Sequence, residues 1–394
     1  MFFGHRMNRK IAAVNEKTLS IPESGLYDLT AKPKFTASRV REMIRSYEFP
    51  EAAYFDGDPA DEKRKADIEA NRNLWALSDE SFGLKYAILT DNAAVRAFPT
   101  SVKASDGTEE NSFDLLQESM FAVGEGVEVL HTSLDGEWVF VQGSNYFGWI
   151  ESGKAAFTDA ETFRGYLSEE NFLVVLKPYF EASGRVFRLG TVIPYRVKAQ
   201  DAYVVLLPKR DTSGSLELVS EIWQDSETLS DGFLPYSPEA LADRSGELVG
   251  TPYGWGDTEA DYDCSSTMGL LYRCYGFYLP RNTSALPYFA GGKDYSIDVK
   301  DLPDEEKLAL IAEHPGALLV MPGHVMLFTG IRQAADGEPE YTVVHNTIGY
   351  YTAPGGKSLR SLYRTVKTGL REMYRKNGDS YLKSIHTIVY FTAE

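Results

Sequence analysis

The hydrophobic pattern of this chain changes along its length, and this change excludes a fold built from one kind of repeating element. The first 80 residues are polar and helical in pattern, with Val40, Met43 and Ile44 recurring at helical spacing after the capping segment Thr36 to Ser38. At 394 residues the chain is too long for one ordinary core, and roughly 150 residues per domain predicts two to four domains. We interpret the helical start as an arm that packs over another part of the protein.

Short strands separated by turn signals begin near Tyr86. Residues 127–131 alternate between apolar and polar positions, Asp135-Gly136 marks a turn, and further strand-like runs follow within residues 138–150. Short strands with turn signals about every 8–12 residues predict a small β-barrel. A second strand-rich stretch over residues 171–223 has the length of one more small barrel. The segment Leu229 to Pro238, rich in Ser, Pro, Asp and Gly, predicts a linker.

Composition narrows the class of protein. The net charge is −17, with 25% charged and 43% hydrophobic residues, which indicates a globular protein without a disordered or membrane-spanning composition. A surface of this sign repels phosphate backbones, so we expect no nucleic acid partner. No stretch approaches the roughly 18 apolar residues of a membrane span, and the first residues lack the apolar run of a signal peptide. We expect either a cytoplasmic protein or one whose export signal has been removed, and the sequence leaves both open.

The most informative chemical signal surrounds Cys264. Asp263 is a good helix N-cap and Gly276 a good residue beyond a helix end, which predicts a helix from about Cys264 to Tyr275. In the first turn of a helix, unpaired backbone N–H groups and the helix dipole favour a thiolate, which a nucleophilic cysteine needs. Cys274, late in the same helix, is expected to be buried and inert. The pair cannot form a disulfide, because ten residues of helix separate the Cα atoms by about 15 Å, and a disulfide needs roughly 7 Å or less.

A cysteine nucleophile also needs a base and a third group that orients this base. His324 and His345 lie on strand-like runs separated by a turn over residues 335–339, so we expect the two strands to pair as neighbours. The other four histidines lie in the start, the first barrel, a loop and the terminal strand: His5, His131, His314 and His386. The sequence has no HExxH, no CxxC and no G-x-S-x-G, and its glycine pairs lack the context of a phosphate loop. We therefore expect neither a metal nor an organic cofactor.

Several segments together resemble a known family. YGWGDTEADYDCSS, LPRNTSAL, PGHVMLFTG and VVHNTIGY resemble the NlpC-type cell-wall peptidases, which are papain-like cysteine peptidases, and EWVFVQGSNYFGWI resembles the bacterial SH3-like domains found beside cell-wall enzymes. The resemblance is strongest over residues 250–350. It implies an α+β protein with an N-terminal helical arm, two small SH3-like β-barrels and a C-terminal papain-like catalytic domain. The corresponding boundaries are 1–80, 81–158, 159–232 and 233–394.

The resemblance also implies residue roles. Cys264 corresponds to the nucleophile, His324 to the base and His345 to the group that orients the base. The substrate-binding residues implied by the motifs are Tyr253 at the oxyanion site, Trp255 two residues later, Asp263 and Ser265 beside the nucleophile, Ser284 in RNTSAL, and Tyr146 as a wall of the pocket before the scissile bond.

Three positions depart from the family pattern. The usual W-G-G ends in Asp257, the usual D-C-S-G ends in Ser266, and the acidic residue of the usual P-G-D-L is Ala317. We expect Ser266 to point along the helix and to be tolerated at some cost in packing. None of the three changes removes a catalytic group, so they bear on substrate detail more than on activity.

The implied function is hydrolysis of the γ-D-glutamyl–L-diamino acid bond of murein peptides, in fragments that carry a free N-terminal L-Ala, by a monomer that takes part in cell-wall recycling. One alternative is a cell-wall-binding protein with a degenerate catalytic domain, although the net charge of −17 suits a polyanionic wall poorly. Another is an amidase or acyl transferase on the same fold. The sequence leaves open which diamino acid is bound, diaminopimelate or Lys, and whether intact murein is also cleaved.

Overall fold

The structure, a computed structural model, describes residues 7–52, 54–80, 82–107, 113–292, 294–334 and 337–392. His5 therefore lies outside the described residues. The first segment is helical, as predicted, with α1 (Arg9–Leu19), α2 (Ala37–Arg45), α3 (Glu62–Asn71) and two very short strands, β1 (Tyr54–Phe55) and β2 (Asp58–Pro59). The hydroxyl of Thr36 caps α2, and the helix buries Val40, Met43 and Ile44, which confirms the amphipathic pattern.

Helix α1 packs on the C-terminal half of the chain. The side-chain amide of Asn15 donates to the carbonyl of Gly276 at 2.8 Å and accepts from the backbone N–H of Tyr278 at 3.0 Å. The hydroxyl of Thr18 accepts from the backbone N–H of Ala290 at 2.7 Å. Because these three bonds satisfy buried backbone groups of one distant segment, α1 covers and fixes that segment, as expected of a packing arm.

The next region forms an antiparallel sheet with an aliphatic core. In chain order the strands are β3 (Lys85–Leu89), β4 (Ala93–Arg96), β5 (Ala104–Ser105), β6 (Gln117–Phe121), β7 (Gly126–Thr132), β8 (Trp138–Gln142), β9 (Phe147–Glu151) and β10 (Ala155–Thr158). Seven of them form one sheet in the order β10-β3-β7-β8-β9-β4-β6, and β5 pairs with β1 in a small separate sheet.

This seven-stranded sheet is open, in contrast to the closed barrel expected from the turn spacing. Among the described strands, β10 and β6 end the order and do not pair with each other. Each edge is instead covered by another part of the chain: Phe157 of β10 bonds to the carbonyl of Gly214 at 2.9 Å, and Gln117 of β6 bonds to the carbonyl of Gly256 at 2.9 Å. These contacts protect the edges, which closure would otherwise do.

The second strand-rich region begins after α4 (Ala160–Leu167). Its strands are β11 (Phe172–Val175), β12 (Tyr179–Ala182), β13 (Arg185–Arg188), β14 (Val192–Lys198), β15 (Ala202–Arg210), β16 (Leu216–Gln224) and β17 (Leu229–Asp231). Five form a sheet in the order β16-β15-β14-β11-β17, and β12 pairs with β13 as a hairpin. The predicted linker from Leu229 to Pro238 is therefore wrong at its start, because Leu229 is buried and pairs with Val175.

The C-terminal region is a six-stranded antiparallel sheet flanked by helices. The helices are α5 (Pro238–Gly246), α6 (Cys264–Arg273), α7 (Asp304–Glu313) and α8 (Tyr381–Ser384), and the strands are β18 (Ser296–Asp298), β19 (Leu318–Met321), β20 (His324–Gln333), β21 (Pro339–Tyr351), β22 (Leu359–Gly369) and β23 (Thr387–Val389). The sheet order is β18-β23-β19-β20-β21-β22. Leu327 pairs with Val344, so β20 and β21 are neighbours as predicted, although residues 335 and 336 of their connection lie outside the described residues.

Helix α6 lies at the centre of the largest hydrophobic core. That core joins residues of all parts of the chain, including Ile11 of the arm, Phe163 and Val174 of the middle region, and Met268 and Leu271 of α6. Met268 and Leu271 are fully buried, and burying each such side chain contributes about 1.5–3 kcal/mol. The nucleophile candidate therefore stands on a helix that the rest of the protein holds in place. No helix in the described part of the chain has both the length and the apolar character to span a membrane.

Candidate active site

Helix α6 places Cys264 in its first turn, as the capping signals predicted. The Asp263 carboxylate accepts from the backbone N–H of Ser266 at 2.8 Å, and the Ser266 hydroxyl accepts from the backbone N–H of Asp263 at 3.0 Å, which is a reciprocal capping box. Cys264 is 8% exposed, so its sulfur is nearly enclosed. Cys274 caps the other end of the helix and is completely buried, and both cysteines are free thiols.

The electrostatics of Cys264 differ from the thiolate expected at a helix start. Burial, followed by the adjacent Asp263 carboxylate, raises the pKa of the Cys264 thiol to about 12. The backbone N–H groups of Val325 and Ser265 act on this pKa in the opposite direction, as the helix argument requires, but burial outweighs them. The Cys264 thiol is therefore neutral at neutral pH, and it could act as a nucleophile only if a neighbouring base removed its proton.

A chain of side-chain hydrogen bonds fixes the tautomer of that base. His324 Nε2 lies 2.8 Å from His345 Nδ1, His345 Nε2 lies 3.2 Å from Thr368 Oγ1, and the Thr368 hydroxyl donates to Met373 Sδ at 3.3 Å. Because a thioether sulfur only accepts, Thr368 donates to Met373 and its oxygen accepts from His345 Nε2–H. His345 Nδ1 then accepts from His324 Nε2–H. This leaves the Nδ1 lone pair of His324 free to take a proton.

Both histidines are neutral at neutral pH. Burial, followed by the Arg375 guanidinium, lowers the pKa of His324 to about 4, although the Asp263 carboxylate opposes this shift. Burial and the nearby His324 lower the pKa of His345 well below its usual value. The structure thus pairs a neutral thiol with a neutral imidazole.

Asn346, which follows His345, does not bond to either histidine among the described residues. Its side-chain N–H₂ donates to the carbonyl of Tyr262 at 2.8 Å and to the carbonyl of Pro252 at 3.2 Å. It therefore joins the two segments that precede the nucleophile. The side chain that accepts from His324 Nε2–H is that of His345.

Tyr253, the predicted oxyanion residue, lies near Cys264. Its segment is fixed to β22, because the backbone N–H of Tyr253 donates to the carbonyl of Tyr363 at 3.0 Å. Burial, then the Cys264 thiol and the Asp263 carboxylate, raise the pKa of the Tyr253 phenol. The phenol is thus close to the thiol and remains a hydrogen-bond donor at all physiological pH values. Trp255 is 43% exposed and stacks on Phe113 at 5.2 Å between ring centroids, on a wall open to solvent.

Arg281 is the centre of a buried charge network. It belongs to the segment LPRNTSAL, and no role was predicted for it. It bonds to the Asp263 carboxylate at 2.7 Å, to the Ser265 hydroxyl at 2.8 Å and, from Nε, to the Ser119 hydroxyl at 2.7 Å. Burial alone would raise the pKa of Asp263, but the ion pair with Arg281 outweighs it and holds this pKa below its usual range. Asp263 and Ser265 are therefore already engaged by the protein. The need of a buried carboxylate for a cation could have pointed to Arg281.

Two of the departures from the family pattern join this network. Asp257 lies within 3.5 Å of Arg188, from β13, and within 3.4 Å of Arg281, and its carboxylate also accepts from the Ser266 hydroxyl. The expectation that Ser266 points along the helix is therefore wrong. Its side chain bridges Asp257 and the capping box. Asp257 has φ +65°, a backbone conformation that Asp adopts more easily than most residues.

The sheet of the first strand-rich region forms one end of the cleft. The Tyr146 hydroxyl donates to the Glu118 carboxylate of β6 at 2.6 Å. Burial raises the pKa of Glu118, against the effects of Tyr146 and Arg281, and Tyr146 also interacts with the side chain of Asn282, next to Arg281. Tyr146 thus contacts Glu118, a residue that the sequence did not reveal. Ser284 is exposed, and its hydroxyl makes no hydrogen bond within the described residues.

Two further residues, Tyr381 and Arg375, lie near the two histidines. The ring of Tyr381, from α8, lies edge-on at 5.9 Å from the ring of His324 and 6.3 Å from that of His345. Arg375 lies close enough to influence both His324 and Tyr381 electrostatically. Neither residue belongs to a motif, and only the fold brings them to the histidines. Among the described residues, no group of three His, Cys, Asp or Glu side chains could hold a metal ion.

Comparisons with known proteins agree with this architecture. Residues 98–151 match the family model described as an SH3 domain of the SH3b1 type. The chain is similar to the solved structure of an NlpC/P60 endopeptidase from Photobacterium damselae subsp. piscicida, with a TM-score of 0.75 and 16% identity over 99% of this chain and 96% of the other. It is also similar to an NlpC/P60 family protein from Bacillus cereus ATCC 10987, with a TM-score of 0.51 and 17% identity over 77% of this chain and 98% of the other. No curated protein matches the chain.

Fold and comparisons together define a mixed α+β protein in which an SH3 domain precedes a six-stranded sheet flanked by helices. More specifically, the chain has the fold of the NlpC/P60 endopeptidases, which confirms the resemblance seen in the motifs.

Proposed function

We propose that this protein is a cysteine peptidase that hydrolyses the γ-D-glutamyl–L-diamino acid bond of murein peptides carrying a free N-terminal L-Ala. The observation that carries the proposal is the hydrogen-bonded pair of His324 and His345 on neighbouring strands, beside Cys264 at the start of α6. In this proposal the helical arm is 1–80, the two SH3-like domains are 81–158 and 159–232, and the catalytic domain is 233–394.

The proposed reaction is acyl transfer through a thioester. The Cys264 sulfur attacks the carbonyl carbon of the scissile amide while His324 Nδ1 takes the thiol proton, and the Tyr253 phenol donates to the developing oxyanion. His324 then gives that proton to the leaving amine as the C–N bond breaks. Water, deprotonated by His324, hydrolyses the thioester and restores the thiol. No cofactor takes part in these steps.

The side of the cleft before the scissile bond supports a short substrate with a free amine. Asp263 is neutralised by Arg281 at 2.7 Å, so it is a poor partner for the amine, contrary to the role expected from the motif. Glu118 is the carboxylate that remains at this end, where it is bonded to Tyr146 and partly exposed. We infer that Glu118 pairs with the α-amine of L-Ala and that the Tyr146 wall leaves room for only two residues. Intact murein, in which L-Ala is amide-linked to sugar, would then be excluded.

The alternatives make different demands on the site. A wall-binding protein with a degenerate catalytic domain has no need for a directed chain of bonds from His324 to Met373, and this chain is complete. An amidase or acyl transferase could use the same three catalytic groups. An amidase would differ in the amide bond that it hydrolyses, and an acyl transferase in the acceptor of the acyl group. A role in recycling freed wall peptides follows from the closed cleft, and it is compatible with either the bacterial cytoplasm or the cell envelope.

The test is mass spectrometry of defined peptides after incubation with the monomeric protein. We expect cleavage of L-Ala-γ-D-Glu-diamino acid, with either diaminopimelate or Lys, at the bond after D-Glu. We expect no cleavage of the N-acetylated peptide or of whole sacculi, and none of any substrate by Cys264→Ala. Equal cleavage of the free and N-acetylated peptides would show that the cleft is open, and acyl products without hydrolysis would favour the transferase.

A further inference from the structure

The charge of this acidic protein is reversed in one segment beside the active site. Between residues 357 and 376 the chain carries seven Lys or Arg residues and a single acidic one, Glu372, whereas the whole chain has a net charge of −17. This segment comprises β22, next to the His345 strand β21, and the turn that follows it. A local concentration of cations in an acidic protein attracts an anionic group to this side of the cleft.

Within this segment, Arg375 contacts the hairpin that carries His324. Its Nη2 donates to the carbonyl of Pro322 at 3.5 Å. Pro322 belongs to the tight turn between β19 and β20, in which Met321 pairs with His324. The guanidinium therefore lies against the hairpin that presents the base, and its charge acts on His324 and on Tyr381.

The guanidinium of Arg375 retains most of its binding capacity. The nearest carboxylates along the chain are Glu372 and Asp379, and neither is at ion-pair distance from Arg375; Asp379 is instead bonded to Lys383 at 2.6 Å and to the Asn377 side chain at 2.8 Å. Within the described residues Arg375 has no carboxylate at ion-pair distance. A guanidinium has five N–H donors in a planar fork that fits a carboxylate, and the one long bond to Pro322 leaves this fork available.

We propose that Arg375 forms a subsite after the scissile bond that binds the α-carboxylate of the leaving amino acid. His324 must lie next to the leaving nitrogen, because it protonates this nitrogen as the amide breaks. In an α-amino acid the carboxylate carbon is two bonds from that nitrogen, so a free carboxylate lies beside His324, where Arg375 is. The subsite rests on the proposed function and adds a preference to it: peptides that end at the diamino acid are favoured over those that continue with D-Ala.

The experiment compares two substrates that differ only at the leaving carboxylate: L-Ala-γ-D-Glu-diamino acid and the same peptide with a C-terminal carboxamide. For the wild-type protein we expect kcat/KM to be about 10- to 100-fold higher for the acid, the range of a hydrogen bond to a charged group. Arg375→Gln should reduce this ratio to near one by slowing only the acid. Arg375→Lys should keep part of the ratio, since it keeps the charge but not the fork. Arg371→Gln, in the same segment with its guanidinium over the Tyr341 ring at 5.8 Å, is the matched control and should keep the full ratio.

Each other outcome has a definite meaning. If Arg375→Gln slows both peptides equally, Arg375 only supports the hairpin, and the subsite is wrong. The same conclusion follows if the wild-type protein cleaves acid and amide equally well. If the wild-type protein cleaves neither peptide, the proposed function itself fails, and the subsite fails with it.

Discussion

The hydroxyl of Ser266 donates a hydrogen bond to the carboxylate of Asp257, so the two residues that replace glycines of the family pattern contact each other. Asp257 also lies between two buried guanidiniums, those of Arg188 and Arg281. The neighbouring Gly256 has little room, because a Cβ at that position would meet the carbonyl oxygen of Gln117 at 2.8 Å. The two substitutions thus connect the start of the catalytic helix to the second strand-rich region.

Asp257→Asn should lower the free energy of unfolding by about 3–5 kcal/mol, because it leaves buried guanidinium charge without its partner. Ser266→Ala should cost about 1 kcal/mol through loss of a cap. Since the two side chains are bonded, the double variant should lose less than the sum of the single losses. Urea unfolding of the four proteins measures this coupling.

Asp56→Asn provides the matched control for the charge. Asp56 pairs with Arg64 at the surface, where both side chains are partly exposed, and the loss should stay below about 1 kcal/mol. Strictly additive losses in Asp257→Asn and Ser266→Ala would contradict the inferred contact.

The catalytic residues were predictable because local signals place each of them. The N-cap at Asp263 places Cys264 at the helix start, and short continuous apolar runs place His324 and His345 on strands. Arg281, Glu118 and Arg375 lie on separate segments that only the tertiary fold brings together, so no spacing in the sequence reveals them.

The neutral state of the nucleophile was missed for a different reason. The helix start was identified correctly. The pKa of Cys264, however, depends mainly on how deeply the thiol is buried, and a short sequence motif does not predict this burial. The open sheet order was likewise hidden, because the turn spacing predicts strands but not which part of the chain covers their edges.

Cys264→Ala should abolish peptide cleavage, because the acyl intermediate needs a sulfur nucleophile. Cys274→Ala should retain nearly all activity, since this fully buried thiol lies at the far end of α6 and bonds to the backbone carbonyls of Val175 and Leu270. Initial rates of peptide cleavage for the two variants provide the comparison. Inactivity of both variants, with the fold intact by circular dichroism, would argue against the assignment of Cys264.

Alkylation of Cys264 by iodoacetamide should rise about tenfold per pH unit between pH 6 and 9, because the thiolate fraction grows in this way well below a thiol pKa. The raised pKa of Cys264, about 12, places this whole range below the midpoint. A preformed thiolate–imidazolium pair would instead give a plateau in the same range. Cys274→Ala is the protein to use, so that one thiol remains, and mass spectrometry gives the rate at each pH.

His324→Ala should lower kcat by roughly 10²- to 10⁴-fold, the contribution of a general base. His345→Ala should cost less, because a misoriented imidazole still accepts a proton in some encounters. Steady-state kinetics at saturating peptide measures both. If His345→Ala is as active as the wild-type protein, another group orients the base, and the hydrogen bond at 2.8 Å has no catalytic role.

Thr368→Val tests the chain of bonds that sets the tautomer of the base. The variant removes the acceptor of His345 Nε2–H and keeps the shape of the side chain. Without this acceptor the His345 proton can move to Nδ1, which then no longer accepts from His324 Nε2–H. We expect kcat to fall about tenfold, which corresponds to a rise of about 1.4 kcal/mol in the activation free energy. KM should not change. Thr365→Val, on the same strand, removes a buried hydroxyl that has no hydrogen-bond partner among the residues that the structure describes, and it should leave both constants unchanged. Equal loss in the two variants would mean that β22 is merely sensitive to valine, and the tautomer argument would be wrong.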